Sequence, residues 1–157
     1  MNTTKQLAQH FRDVHFGGNW TFVNLKDSLA DVTWQEATTK LHDFNTIATL
    51  LFHINYYVNP VLKVLQGEPL IASDKYSFDC PPITSNEDWQ KLVQKVLDEA
   101  ELFAQEIEKL DELKLYDVFS EEKYGNYFRN LLGIIEHSHY HLGQISLIKK
   151  LIRQKGE

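Results

Sequence analysis

The sequence predicts an all-α protein, a four-helix bundle with short additional helices and one long connection between the second and third long helices. Three observations carry this. Apolar residues recur at helical spacing over four long segments, no segment alternates apolar and polar residues, and Thr33 and Ser85 each precede an acid three residues on, as at helix starts. With 157 residues, 43% of them hydrophobic and 24% charged, the chain suits one domain, 1–157, with a sizeable core.

The first helix is expected from Thr3 or Thr4 to His15, with Leu7, Phe11 and Val14 on one face and Gly17-Gly18 as its stop. A short helical piece follows from Trp20 to about Asp31. Thr33-Trp34-Gln35-Glu36 fits a capping box, in which hydroxyl and carboxylate satisfy reciprocal backbone donors, and starts a short helix from Trp34 to about Leu41. Asn45 is the expected N-cap of the second long helix, whose stripe is Ile47, Leu50, Leu51, Ile54, Tyr57 and Val58. Pro60 predicts a kink or break there, and Gly67 with Pro69 its end.

From Glu68 to Thr84 no period is sustained and Pro81-Pro82 excludes regular helix, so this stretch reads as a long loop, either a lid or a plain crossover. Ser85-Asn86-Glu87-Asp88 opens the clearest amphipathic helix, running to Leu110 with a solvated charged face. A connection through Tyr124-Gly125 leads to the last helix, from about Asn126 to Gln154. No short-period repeat or low-complexity segment interrupts this order.

The formal charge of −6 argues against a nucleic-acid backbone or an anionic membrane as partner. The one basic concentration, Lys149, Lys150, Arg153 and Lys155, closes the last helix, where it complements the helix dipole. Cys80 is the only cysteine, which excludes an intrachain disulfide and a cysteine metal site. Nothing near it lowers a thiol pKa, so it reads as an incidental loop residue. The first residues lack the apolar core of a signal peptide and no apolar run reaches membrane-spanning length, so a soluble cytoplasmic protein is expected.

Chemistry concentrates in Glu136-His137-Ser138-His139-Tyr140-His141 on the last helix. His137 and His141 lie about 40° apart on one face, with His139 nearly opposite. Two imidazoles on neighbouring turns can converge on one metal ion at about 2.0 to 2.1 Å. A solvated histidine face is the competing explanation. His53, in the apolar run Leu50-Leu51-Phe52-His53-Ile54, needs a partner if buried, either a metal or a carbonyl or hydroxyl. His10, His15 and His42 read as surface or capping residues, and His139 is set aside. Asn130 and Gln144, each seven residues from His137, return to its face, and Tyr57 lies one turn after His53. Each of the three is a candidate for orienting a ligand or substrate, with packing or capping as the ordinary alternative.

The His53 segment, the pattern His137-x-x-x-His141-x-Gly143-Gln144-Ile145, the early Gly17-Gly18-Asn19-Trp20 and the Leu29–Ala37 stretch occur in an order that covers most of the chain. In these the chain resembles the DinB/YfiT-like metalloenzymes. The resemblance implies a four-helix bundle holding a divalent metal, zinc or nickel, through His53, His137 and His141, and a homodimer. Some such proteins are transferases or isomerases that act with low-molecular-weight thiols.

Three neutral histidines leave a coordination position open, which permits Lewis-acid chemistry on a small-molecule substrate, either hydrolysis or thiol transfer. Neither His137 nor His141 is followed by glutamate, so the His-Glu-x-x-His peptidase signature is missing. Two classes of function remain: a metal-dependent hydrolase or thiol S-transferase, and a catalytically silent metal-binding or stress-response bundle acting through dimer contacts. A histidine-rich bundle without metal is the third reading.

Overall fold

The computed structural model describes residues 2–154 and is all-helical: six α-helices, three short 3-10 turns and one isolated β-bridge among these residues. Helix α1 (Thr3–Phe16) begins at Asn2, whose side-chain oxygen accepts from the Lys5 amide at 3.1 Å. It stops at Gly17, whose φ of 112° an L side chain rarely adopts.

The helical piece expected from Trp20 starts later. Residues 19–23 instead form a tight loop around the buried Asn19, whose amide nitrogen donates to the Asp13 and Val23 carbonyls, both at 2.7 Å. Its oxygen accepts from the Thr21 amide and hydroxyl. Helix α2 (Leu25–Leu29) follows, capped by Asn24, and Trp20 and Phe22 are left 96% and 95% exposed.

Helix α3 (Trp34–Thr38) opens on the expected capping box: Thr33 Oγ1 accepts from the Glu36 amide at 3.2 Å, and Glu36 accepts from the Thr33 amide at 2.8 Å. It ends before Leu41 because Thr39 is already extended. Helix α4 (Ile47–Leu65) is capped by Thr46, one residue beyond the expected Asn45, through the Thr49 amide at 3.1 Å.

Pro60 does not break α4, which is continuous across it. The end is a Schellman motif: Gly67, at φ 90°, donates to the Val64 carbonyl and Glu68 donates to Lys63. Helix α5 (Asn86–Lys109) is capped by Ser85, while Asp88 reaches back to the Thr84 amide and hydroxyl rather than to Ser85. Short 3-10 turns at Glu112–Tyr116 and Glu122–Tyr124 and the Val118–Asn126 bridge lead into α6 (Tyr127–Gln154).

Helix α1 packs on α5 and α6, and α4 packs on the same two. Phe11, Leu50, Leu51, Ile54, Trp89, Phe103, Leu131 and Ile145 are fully buried between them. At such positions a truncation to alanine costs about 2 to 5 kcal/mol. The Trp89 indole also donates to the Val32 carbonyl at 2.9 Å, tying α5 to the segment before α3. Lys149 and Arg153 are engaged by Asp31 and Glu36, which fastens the end of α6 to α2 and α3. Two residues of the closing basic stretch, Lys149 and Arg153, thus have specific acidic partners besides the helix dipole, and its Lys155 lies outside the described residues. No described helix is long and apolar enough to cross a membrane.

Candidate metal centre

His53 lies in the buried stripe of α4, and His137 and His141 occupy successive turns of α6, which packs against it. One ligand atom from each ring lies within 4.8 Å of those of the other two. The rings sit 4.8, 4.7 and 4.5 Å apart between centroids, His53 to His137, His53 to His141 and His137 to His141. The Nε2 atoms of His53 and His137 are 3.1 Å apart. Two nitrogens on one tetrahedral ion at about 2.05 Å stand about 3.4 Å apart, so this pair needs to shift by only a few tenths.

The outer nitrogens decide which atoms are free to ligate. His53 Nδ1 is 3.0 Å from the Ser77 carbonyl, and a carbonyl only accepts, so Nδ1 carries the proton and Nε2 the lone pair. Gln144 Oε1 sits 2.7 Å from His141 Nδ1 and sets the same tautomer there. Gln144 thus orients a candidate ligand rather than a substrate. His137 Nδ1 is buried with no hydrogen-bond partner among the described residues.

Burial, above all, lowers the pKa of His137 to about 4, aided by the charges His141 and His53 would carry. Burial also lowers His53, against the opposing pull of the Ser77 carbonyl. Both rings are therefore neutral near pH 7, the state in which imidazole ligates. The donor set fits a divalent transition metal: three imidazoles from two packed helices, two of them with an outer nitrogen held from behind.

The connection between α4 and α5 is part of the site. Besides the Ser77 carbonyl it supplies Phe78, whose ring stacks on His53 at 3.7 Å and 9°. It also supplies Asp74, which accepts from the Tyr57 hydroxyl at 3.0 Å. Tyr57 packs its ring edge-on against His53 and His137, at 5.2 and 5.0 Å, so its hydroxyl goes to the connection and its ring to the histidines. Asn130 donates to the Tyr124 and Asn126 carbonyls and holds the entry to α6 while lining the cavity.

That cavity, about 780 Å³, opens over the three histidines and is also walled by Leu70, Asp74, Phe119, Glu136 and Tyr140. Its size is that of a small-molecule cleft. Sequence reasoning missed Ser77, Phe78 and Asp74, which sit in an aperiodic stretch with no spacing to flag them. Gly133 and Glu136 carried a readable signal, since they flank His137 on the same helix.

The remaining histidines are elsewhere. His15 is not a surface or capping residue: it is fully buried, its Nδ1 held by the Phe11 carbonyl at 2.9 Å and its ring against Phe11 at 4.2 Å. Burial lowers its pKa to about 4, against that hydrogen bond. His10 is exposed and lies 6.1 Å from His139, which turns toward α1. His42 is exposed in a turn, at φ 47°. Cys80 is half-buried and its thiol is pushed up by burial, the opposite of activation. No known family pattern, curated protein or solved structure matches this chain.

Proposed function

We propose that this protein is a divalent-metal-dependent enzyme of the hydrolase or low-molecular-weight-thiol S-transferase kind, built as a DinB/YfiT-like four-helix bundle. The observation that carries the proposal is the convergence of His53, His137 and His141 at the wall of a ligand-sized cavity. Three imidazoles suit zinc or nickel. A bound ion would supply a Lewis acid with an open position, which acidifies a water or a thiol and polarises an electrophile. The chain's own residues hold the geometry: Ser77 and Gln144 fix two tautomers, Phe78 and Tyr57 confine the rings, and the apolar wall at Val61, Leu70 and Ile134 limits water.

Elemental analysis of protein purified without chelators tests the site, with about one zinc or nickel per chain expected. His53→Ala, His137→Ala and His141→Ala should each abolish retention, and metal content unchanged in all three would overturn the reading. A panel of thiols paired with electrophiles tests the reaction, with turnover expected in the loaded protein and lost in His137→Ala.

A second reading is a catalytically silent, metal-binding homodimer. It is favoured by Trp20 and Phe22, two large apolar side chains held in solvent on a loop fixed by the buried Asn19. It predicts metal retention and self-association without turnover on any panel member.

A further inference from the structure

One wall of the histidine cavity is a stripe of α6 that runs from Arg129 past Gly133 to the turn of Glu136 and His137. The charge at its far end is unusual within this protein. Arg12 grips Glu101 and Glu108, and Arg153 grips Asp31 and Glu36. Arg129 has no carboxylate partner among the described residues: its Nη1 donates to the Tyr124 carbonyl at 2.8 Å. That bond leaves the Nε and Nη2 edge without an acceptor among the described residues. The same edge of Arg12 holds Glu101, both contacts at 2.9 Å, as a fork matched to a carboxylate.

Arg129 is also held in place. Gly125, at φ 75°, makes room for its stem, since a Cβ there would lie 3.1 Å from Arg129 Cδ. The Asn126 side chain caps the Arg129 amide at 2.9 Å. The cavity's carboxylates leave the guanidinium free: Asp74 takes the Tyr57 hydroxyl, Glu121 pairs with Lys123 at 3.0 Å, and Glu136 lies two turns further along.

Between Arg129 and His137, one turn from each, lies Gly133. A glycine inside a helix costs about 1 kcal/mol relative to alanine. Packing does not require it, because a Cβ there would meet nothing within 4 Å. What it keeps clear is the floor of the cavity between the guanidinium and the histidines.

We infer that the cavity takes an elongated carboxylate-bearing ligand, its carboxylate on the Nε and Nη2 edge of Arg129, its body across Gly133, and a metal-binding donor such as a thiol at the histidines. Eight residues separate the two ends, about 12 Å along the axis, and the Arg129 side chain lies back toward Tyr124 and Gly125, away from His137, so the ligand must be long enough to span at least the two turns between them. The donor end rests on the metal-centre reading, whereas the carboxylate end stands on Arg129 alone.

Two probes test it, 6-mercaptohexanoate and the neutral 6-mercaptohexanol. In metal-free protein, titration with the carboxylate is expected to shift the Arg129 Nε–H resonance, and the alcohol is expected to leave it in place. In cobalt-loaded protein, read by thiolate-to-cobalt absorption, the carboxylate should bind about tenfold more tightly than the alcohol. Arg129→Gln should bring that ratio near one, and Gly133→Leu should weaken both probes with cobalt content unchanged. Cobalt retained with equal affinities, or a preference that survives Arg129→Gln, overturns the carboxylate subsite. Failure to retain cobalt with the Arg129 shift intact overturns the metal reading and leaves the subsite standing.

Discussion

Gln144→Ala separates a tautomer-setting role from ordinary packing. The amide oxygen holds His141 Nδ1 at 2.7 Å, which presents the opposite nitrogen to the site. Loss of such an outer partner weakens metal binding about 10- to 100-fold, or about 1.4 to 2.7 kcal/mol. At a free zinc concentration above both dissociation constants, the metal-linked part of stability falls by the same amount. At about 2 to 4 °C per kcal/mol for a domain of this size, the zinc-induced rise in Tm shrinks by about 3 to 11 °C.

The metal-free variant should itself lose about 1 kcal/mol, because His141 Nδ1 loses its partner, with a few tenths offset by alanine's better helix propensity, so the zinc-dependent difference reads the tautomer effect. Competition with a chromophoric chelator gives the affinity, and calorimetry with and without zinc gives the two stabilities. Gln144→Glu should retain or strengthen binding, since a carboxylate accepts from Nδ1 more strongly than an amide. A zinc affinity unchanged in Gln144→Ala would refute the reasoning.

Three further outcomes are expected. His15 has a folded pKa near 4, below its ordinary 6.5, so the unfolded chain takes up the proton first as pH falls. The stability it contributes is intact above about pH 6.5 and is lost toward pH 4, by on the order of 3 kcal/mol. In zinc-free protein, His15→Phe should reduce the loss of denaturant midpoint between pH 7 and pH 4.5, and an unchanged loss would count against burial as the cause. Thr33→Ala removes the capping-box hydroxyl of α3 and should cost about 1 kcal/mol in urea unfolding, whereas no change would show that the cap is redundant. Asn19→Ala leaves two carbonyls and the Thr21 donors without their partner, so a loss of about 1 to 3 kcal/mol is expected, with any gain in stability contradicting the assigned bonds.

Periodicity made the long helices legible, because their apolar stripes are dense and side-chain caps mark their starts. It placed His137 and His141 together for the same reason: a helix fixes the angle between residues four apart. Where it failed, local side-chain chemistry outweighed pattern. Residues 20–24 have helical apolar spacing, yet the Asn19 amide bonds the Val23 carbonyl and closes a loop, so α2 starts only at Leu25. His15 looked like a capping residue because it ends a helix beside glycines. Phe11, one turn back, is visible in the sequence, but the burial of the pair depends on α1 packing against α5 and α6, which no local window contains.

The connection after α4 shows why half of the site was unreadable. His53, Tyr56 and Tyr57, all on one stretch of α4, hold the Ser77 carbonyl, the Ser73 backbone and the Asp74 carboxylate. Leu70 and Ala72 wall the histidine cavity, as does Asp74 at the start of a 3-10 turn (Asp74–Tyr76), while Ile71 lines a second cavity with Phe52 and Cys80. Alternation over so few residues, with proline and glycine on either side, gives no period to detect. The segment nevertheless joins the histidine cluster and the cavity wall physically. The Ser77 carbonyl sets how strongly His53 Nε2 donates, and the same segment forms a wall of the ligand cavity. The link between the two is the turn at Asp74: the Ser77 amide and hydroxyl both donate to the Asp74 carbonyl, so the residue whose carbonyl holds His53 Nδ1 is tied to a residue that walls the cavity.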